Sequence, residues 1–170
     1  KEIGTITNFY VTPTSRFEFL LGKQLPYIGI AMINFLLLSG LVVVVLGVPL
    51  TGSFAVLAAG MLLYAFAATG FGLLIASMTS SQATAVFAAA ILTLLPTVQF
   101  SGMREPVSSL EGSARLIGDL WPTTYYMFVS VGTFTKGLGL SALWPDLVAL
   151  AVFGPVFFVV AMAFLRKQEK

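Results

Sequence analysis

The sequence predicts an all-α, polytopic membrane bundle: four spans, a cytoplasmic amphipathic elbow before them and two short outer helices. Three observations carry this expectation. Of the 170 residues, 58% are hydrophobic and 9% are charged, whereas soluble domains average roughly 25% charged. A soluble fold of this length has no single core that could hide so much apolar surface, so lipid is its solvent. Four segments are apolar over the about 20 residues that a spanning helix needs.

The elbow comes first, over residues 1–25. Ile6, Phe9 and Tyr10 share one helical face, and Thr12-Pro13 ends that short helix. Ser15-Arg16-Phe17-Glu18 then has the capping-box pattern for a second helix start. In that second helix Phe17, Leu20, Leu21 and Leu25 share a face at helical spacing. Arg16, Glu18, Gly22 and Lys23 lie opposite, with Phe19 among them. A polar face with an aromatic in its middle is a protein-docking surface in one reading. In the other it is an interfacial helix, its basic residues snorkelling to lipid head groups. The residues alone leave both open.

The transmembrane domain occupies residues 26–170, with spans at about 26–46, 54–78, 83–100 and 144–165. The first opens on Pro26, which is tolerated at a first helical position. The linker 47–53 is a short turn of breakers, and 79–82 is shorter still. Such short links make the first three spans antiparallel neighbours in order. The fourth carries Asp146 near its start, where a carboxylate faces the positive end of the helix dipole. Lys1, Arg16 and Lys23 precede the first span, and Arg166, Lys167 and Lys170 follow the last. An even number of crossings puts both ends on one side, and their basic residues make that side cytoplasmic.

Residues 101–143 form an outer re-entrant segment. Ser101-Gly102 breaks the third span. Ser108 or Ser109 is expected to cap a short helix reaching about Leu120, with Glu111, Arg115 and Asp119 laddered at i, i+4. Trp121-Pro122 breaks it, and Thr123 or Thr124 is expected to cap a second helix over 125–134, half a crossing long.

Inside the membrane, Ala65, Thr69 and Gly72 lie on a small-residue stripe of the second span, and Ala85, Ala89 and Thr93 on one of the third. Such stripes let helix backbones approach closely, so they read as packing surfaces. Asn34 in the first span reads as interhelical glue. Gln99, with Phe100, Ser101 and Gly102 at the outer end of the third span, is a candidate for an outer gate or pathway.

Catalytic chemistry is not legible. The chain has no His and no Cys, which removes imidazole acid–base catalysis, disulfides and Cys/His metal sites. There is no phosphate-binding GxxxxGK[ST] loop, so no nucleotide cofactor is expected on this chain. A net charge of +2, thinly spread, does not suggest a nucleic-acid partner.

Several short motifs resemble one family. Lys1-Glu2-Ile3-Gly4-Thr5, Thr12-Pro13, Glu18, Gly22-Lys23 and Pro26-Tyr27 occur in the order found in the cytoplasmic loop of ABC type-2 exporter permeases. The resemblance continues through Phe100-Ser101-Gly102, Pro106 and Pro122-Thr123-Thr124. It implies a permease subunit of a bacterial inner-membrane exporter, not itself an enzyme, working by alternating access. Glu2, Gly4 and Thr5 match the entry to the coupling region, and Pro13, Arg16, Glu18, Gly22 and Lys23 match the helix that receives the stroke of a partner ATPase. Phe19 joins them as the aromatic of the docking face. ATP and Mg would be held by that ATPase, and a second permease protomer would complete the pathway. The stroke would tilt the first span. The chain opens at Lys1 without a signal pattern, so an upstream half is also expected. The alternative is an ATP-independent channel or structural bundle with an interfacial anchor.

Overall fold

A computed structural model describes residues 15–167, the side chains of Arg16 and of residues 165–167 excepted. The elements run α1 (Arg16–Gly40, continued by a π-helical turn over Leu41–Val45), α2 (Phe54–Met78), α3 (Gln82–Phe100), α4 (Gly112–Asp119), α5 (Pro122–Thr135) and α6 (Leu140–Lys167). There is no strand among the described residues. Four helices are long and apolar enough to cross a bilayer, over Phe17–Val45, Phe54–Met78, Gln82–Phe100 and Leu140–Phe164. The expected all-helical, four-span class therefore holds.

The first helix begins ten residues before the expected start of the span. Ser15 and Glu18 form a complete capping box, which starts α1 at Arg16, and the helix passes through Pro26 without ending. From Arg16 on, elbow and span are thus one rod. Pro26 costs one backbone hydrogen bond, and packing against neighbouring helices makes such a loss tolerable in a membrane bundle.

The fourth span also starts early, at Leu140, and contains both Pro145 and Pro155. The row Leu143, Leu147 and Leu150 explains this, because Leu143 and Leu150 are buried and both must be delivered by helix. Asp146 consequently lies in the second turn and not in the first.

Helix α2 is the axis of the bundle. Its most extensive contact is with α6, which is distant in sequence, and it also packs on α1 and α5. One core cluster joins these four helices through Phe35, Val56, Leu57, Val129 and Leu143. Further along the α2–α6 contact the ring of Phe66 lies where any side chain on Gly154 would have to go. Glycine at 154 is therefore what lets the two helices close.

Helix α3 contributes no buried residue and meets α2 only lightly. Its outward row is fully apolar, with Phe87 70% exposed and Ile91, Leu94 and Leu95 close behind. This surface suits lipid or further protein.

The segment between α3 and α6 is a half-crossing hairpin. Ser101 caps α3 and Gly102 turns the chain with φ 90°, as the expected break requires. The serine caps expected for α4 do not form. Ser109 instead donates to the carbonyl of Pro106 (2.7 Å) in a 3-10 turn, and α4 starts after Glu111. Thr123 and Thr124 are likewise not caps, because Pro122 takes the first helical position behind Trp121. The hydroxyl of Thr124 donates back to the Gly118 carbonyl at 2.7 Å and closes the α4–α5 corner. Of the expected ladder, Arg115 and Asp119 pair at 3.8 Å on an exposed face.

With 14 residues, α5 is about 21 Å long, well short of the roughly 30 Å hydrocarbon core. Its first turn lies beside the middle of α2 and α6, where Thr123 meets Tyr64 and the Tyr125 ring meets Phe153. Its last turn reaches the α1–α2 loop, where the Gly52 N–H donates to the Thr133 carbonyl at 2.8 Å. Trp121 is thus the deep tip of the hairpin.

Candidate functional site

The candidate coupling surface is the first two turns of α1. The Ser15 N–H and hydroxyl both donate to Glu18 Oε2 at 2.8 Å, and the Glu18 N–H donates to Ser15 Oγ at 3.3 Å. The capping hydrogen bonds hold the Glu18 carboxylate in a fixed place. One turn on, Lys23 Nζ lies 4.4 Å from the centroid of the Phe19 ring, a cation–π pair at i, i+4. Glu18, Gly22 and Lys23 are exposed, and nothing approaches within 4 Å of a side chain built at Gly22. The structure therefore brings Glu18, Phe19, Gly22 and Lys23 onto one accessible arc. Glu2, Gly4, Thr5 and Pro13 lie outside the described residues, as does the side chain of Arg16.

The buried face of this segment differs from the expected one. Leu20, Gln24 and Ile28 face inward at i, i+4, i+8, whereas Phe17 and Leu25 are more than half exposed. Phe17 still touches the bundle at its edge, its ring 5.4 Å from Phe158. Sequence reasoning missed Gln24, which is 1% exposed and the largest polar side chain among the fully buried ones. Its Nε2 donates to the Phe66 carbonyl (2.7 Å) and to Thr69 Oγ1 (2.8 Å), both on α2. Its Oε1 is buried without a hydrogen-bond partner among the described residues. The signal was present, since Gln24 interrupts the apolar row of Leu20 and Ile28 at helical spacing.

At the other end of α3, Gln99 is exposed and its Oε1 accepts from Arg104 Nη1 at 3.1 Å. Phe100 is half-buried, and Ser101 is buried with its hydroxyl donating to the Thr97 carbonyl. Behind this turn runs a polar chain the sequence did not reveal. The Trp121 indole N–H donates to Thr97 Oγ1 (3.0 Å), Thr97 Oγ1 is 3.3 Å from Thr123 Oγ1, and Thr123 Oγ1 is 3.1 Å from the Tyr64 hydroxyl. The Tyr64 ring stacks on Tyr126 with centroids 4.9 Å apart. Hydroxyls and indole thus satisfy one another at the hairpin tip, where no water is needed.

The expected packing residues are dispersed. Ala65 is buried, and Thr69 is held by Gln24 while its own hydroxyl donates to the Ala65 carbonyl at 2.6 Å. Gly72 faces open space, and Ala85, Ala89 and Thr93 form the half-buried side of α3. Asn34 is exposed and lines an open groove of about 470 Å³ with Phe35, Met61, Tyr64, Tyr126 and Phe134. Among the described residues no cluster of acidic side chains could hold a metal.

Four hydrophobic crossings around a half-crossing hairpin define a multi-pass helical membrane protein. Within that class the chain belongs to the ABC-2 family transporter proteins, whose family model matches residues 1–163. Among curated relatives it is 30% identical to the inner membrane transport permease YhhJ of Escherichia coli, over 98% of this chain and 45% of that protein. It is 24% identical to the probable multidrug ABC transporter permease YbhR of Escherichia coli, over 99% of this chain and 45% of YbhR. With YbhS, a probable multidrug ABC transporter permease of the same organism, identity is 31% over 80% of this chain and 36% of the relative. The chain spans less than half the length of these relatives. No solved structure matches it significantly.

Proposed function

We propose that this chain is the C-terminal part of the permease of an ATP-driven exporter in a bacterial inner membrane, with both of its ends cytoplasmic. A separate ABC ATPase, carrying ATP and Mg, docks on Glu18, Phe19, Gly22 and Lys23 together with the preceding Glu2, Gly4, Thr5, Pro13 and Arg16. A second permease protomer completes the pathway, and the turn at Gln99, Phe100, Ser101 and Gly102 belongs to its outer gate. Nucleotide-driven closure of the ATPases moves the docked segments, and substrate leaves outward by alternating access. Two relatives carry multidrug in their names, so drug-like amphiphiles are the first substrates to try.

The observation that supports this reading best is the pre-ordered polar arc of α1. A capping box fixes its first turn, its polar groups are exposed, and the same helix continues without a break into the first span. A rod of that kind transmits displacement. An interfacial anchor has no need of continuity with the span.

The test is co-purification in detergent of the full-length permease with the ABC ATPase encoded beside it, comparing the native chain with Glu18→Arg and Phe19→Ser. Recovery of ATPase with the native chain, reduced at least tenfold by either change, is the expected result. Recovery unchanged by both would remove the arc from the docking surface. No recovery with any version would overturn the exporter reading and leave the family and the four-span fold.

A further inference from the structure

The stroke received by the first turns of α1 has two routes into the membrane. One runs up α1 itself, past Pro26. The other crosses to α2 through Gln24. We infer that Gln24 is the positioning residue that passes the stroke to the α2–α6 pair, beside the route along α1 itself. This rests on the exporter reading above.

The geometry favours the crossing. Pro26 has no N–H to give to the carbonyl of Gly22, four residues back, and no side chain braces Gly22. The rod is therefore weakest between Gly22 and Pro26. Gln24 lies inside that interval, 1% exposed, and donates two hydrogen bonds to α2, at 2.7 Å to the Phe66 carbonyl and 2.8 Å to Thr69 Oγ1. The contact continues across α2. The Phe66 ring fills the space beside Gly154 and lies 6.2 Å from the Phe158 ring, so the carbonyl that Gln24 holds belongs to the residue wedged against α6. Phe17, two positions from Phe19, reaches Phe158 as well. The first turns of α1, α2 and α6 thus share one set of contacts.

Stability alone does not explain this glutamine. The amide nitrogen is satisfied, while Oε1 is buried with no partner among the described residues, an arrangement that costs free energy where an apolar side chain of the same size would cost none. Nor do its acceptors depend on it. Thr69 Oγ1 keeps its own bond to the Ala65 carbonyl, and the Phe66 carbonyl remains within α2. Gln24→Met therefore removes a directional link between helices without leaving a new orphan.

The experiment uses the full-length permease with its ATPase in nanodiscs, other cysteines replaced, and a spin label at Met78→Cys on the exposed end of α2. The distance from this label to its counterpart in the second protomer is read with and without a non-hydrolysable ATP analogue. The native pair is expected to shift by about 2 Å or more, the scale of helix displacements in switching proteins. Gln24→Met should bind the ATPase and melt at the native temperature, yet lose the shift, and Thr69→Val should reduce it. A full shift in Gln24→Met overturns the inference. So does a loss of shift accompanied by a fall of several degrees in melting temperature and loss of the ATPase, which would make Gln24 a packing residue. A native pair that binds no ATPase or shows no nucleotide-dependent shift removes the exporter reading itself, and is recognised without any variant.

Discussion

Trp121 donates its indole N–H to Thr97 Oγ1 at 3.0 Å, and this bond pins the deep tip of the hairpin to the last turn of the loosely packed α3. Because α3 buries no residue of its own, the tip is one of its few attachments. Trp121→Phe keeps most of the ring and removes the donor. A net loss of about 0.5–1.5 kcal/mol is expected for one such bond, near 0.6 kcal/mol if the membrane average applies. Thermal unfolding in detergent measures it, and a double-mutant cycle with Thr97→Val isolates it. Strict additivity in that cycle would show that the two side chains do not interact.

A closer contact sets the α2–α6 distance. Gly154→Ala would place a methyl group in the Phe66 ring, and overpacking of this kind typically costs about 1–3 kcal/mol. Phe66→Leu in the same chain should restore part of the loss, because it withdraws the ring. Native stability for Gly154→Ala alone would mean that α6 slides freely on α2.

Much of this was legible in the sequence, and the exceptions share a cause. The capping box at Ser15 and Glu18 and the break at Ser101-Gly102 are local devices, and each acts where its residues stand. Pro26 and Pro145 were harder to read because proline marks a boundary in water, whereas here both lie well inside helices; Pro155, expected within the fourth span, lies within α6. The threonines after Trp121 were read as caps because Thr at a helix start usually is one. Thr124 instead closes the corner onto Gly118, and Thr123 joins Tyr64 and Thr97. Gln24 and the α2–α6 contact depend on which helices meet, and hydrophobic periodicity does not encode that.

The capping box makes its own prediction. Ser15→Ala removes the acceptor for the Glu18 N–H and the hydroxyl that donates to its carboxylate. The first turn of α1 should fray, with amide hydrogen exchange over residues 16–19 faster by roughly three- to tenfold. Exchange in α2 should not change. Equal rates in both chains would show that the elbow is held by something other than its cap.

Sidedness can be read without any substrate, because this chain contains no cysteine. Ser80, in the α2–α3 link, and Lys136, in the turn before α6, are both exposed. They occupy opposite ends of the bundle, since α2 ends at Met78 and the Lys136 turn adjoins the Thr51 loop that precedes α2. With both termini cytoplasmic, Ser80→Cys should react with a membrane-impermeant maleimide only after the inner membrane is opened, and Lys136→Cys in intact spheroplasts. The opposite pattern would invert the topology and place the arc of Glu18 and Lys23 outside, where no ATP-hydrolysing partner could reach it. Labelling of both from outside would deny that α2 crosses. The half-crossing hairpin adds a third arm. A cysteine at Ser113, exposed on α4, should react from the same side as Lys136, because α5 returns the chain to that side and the hairpin does not pass through.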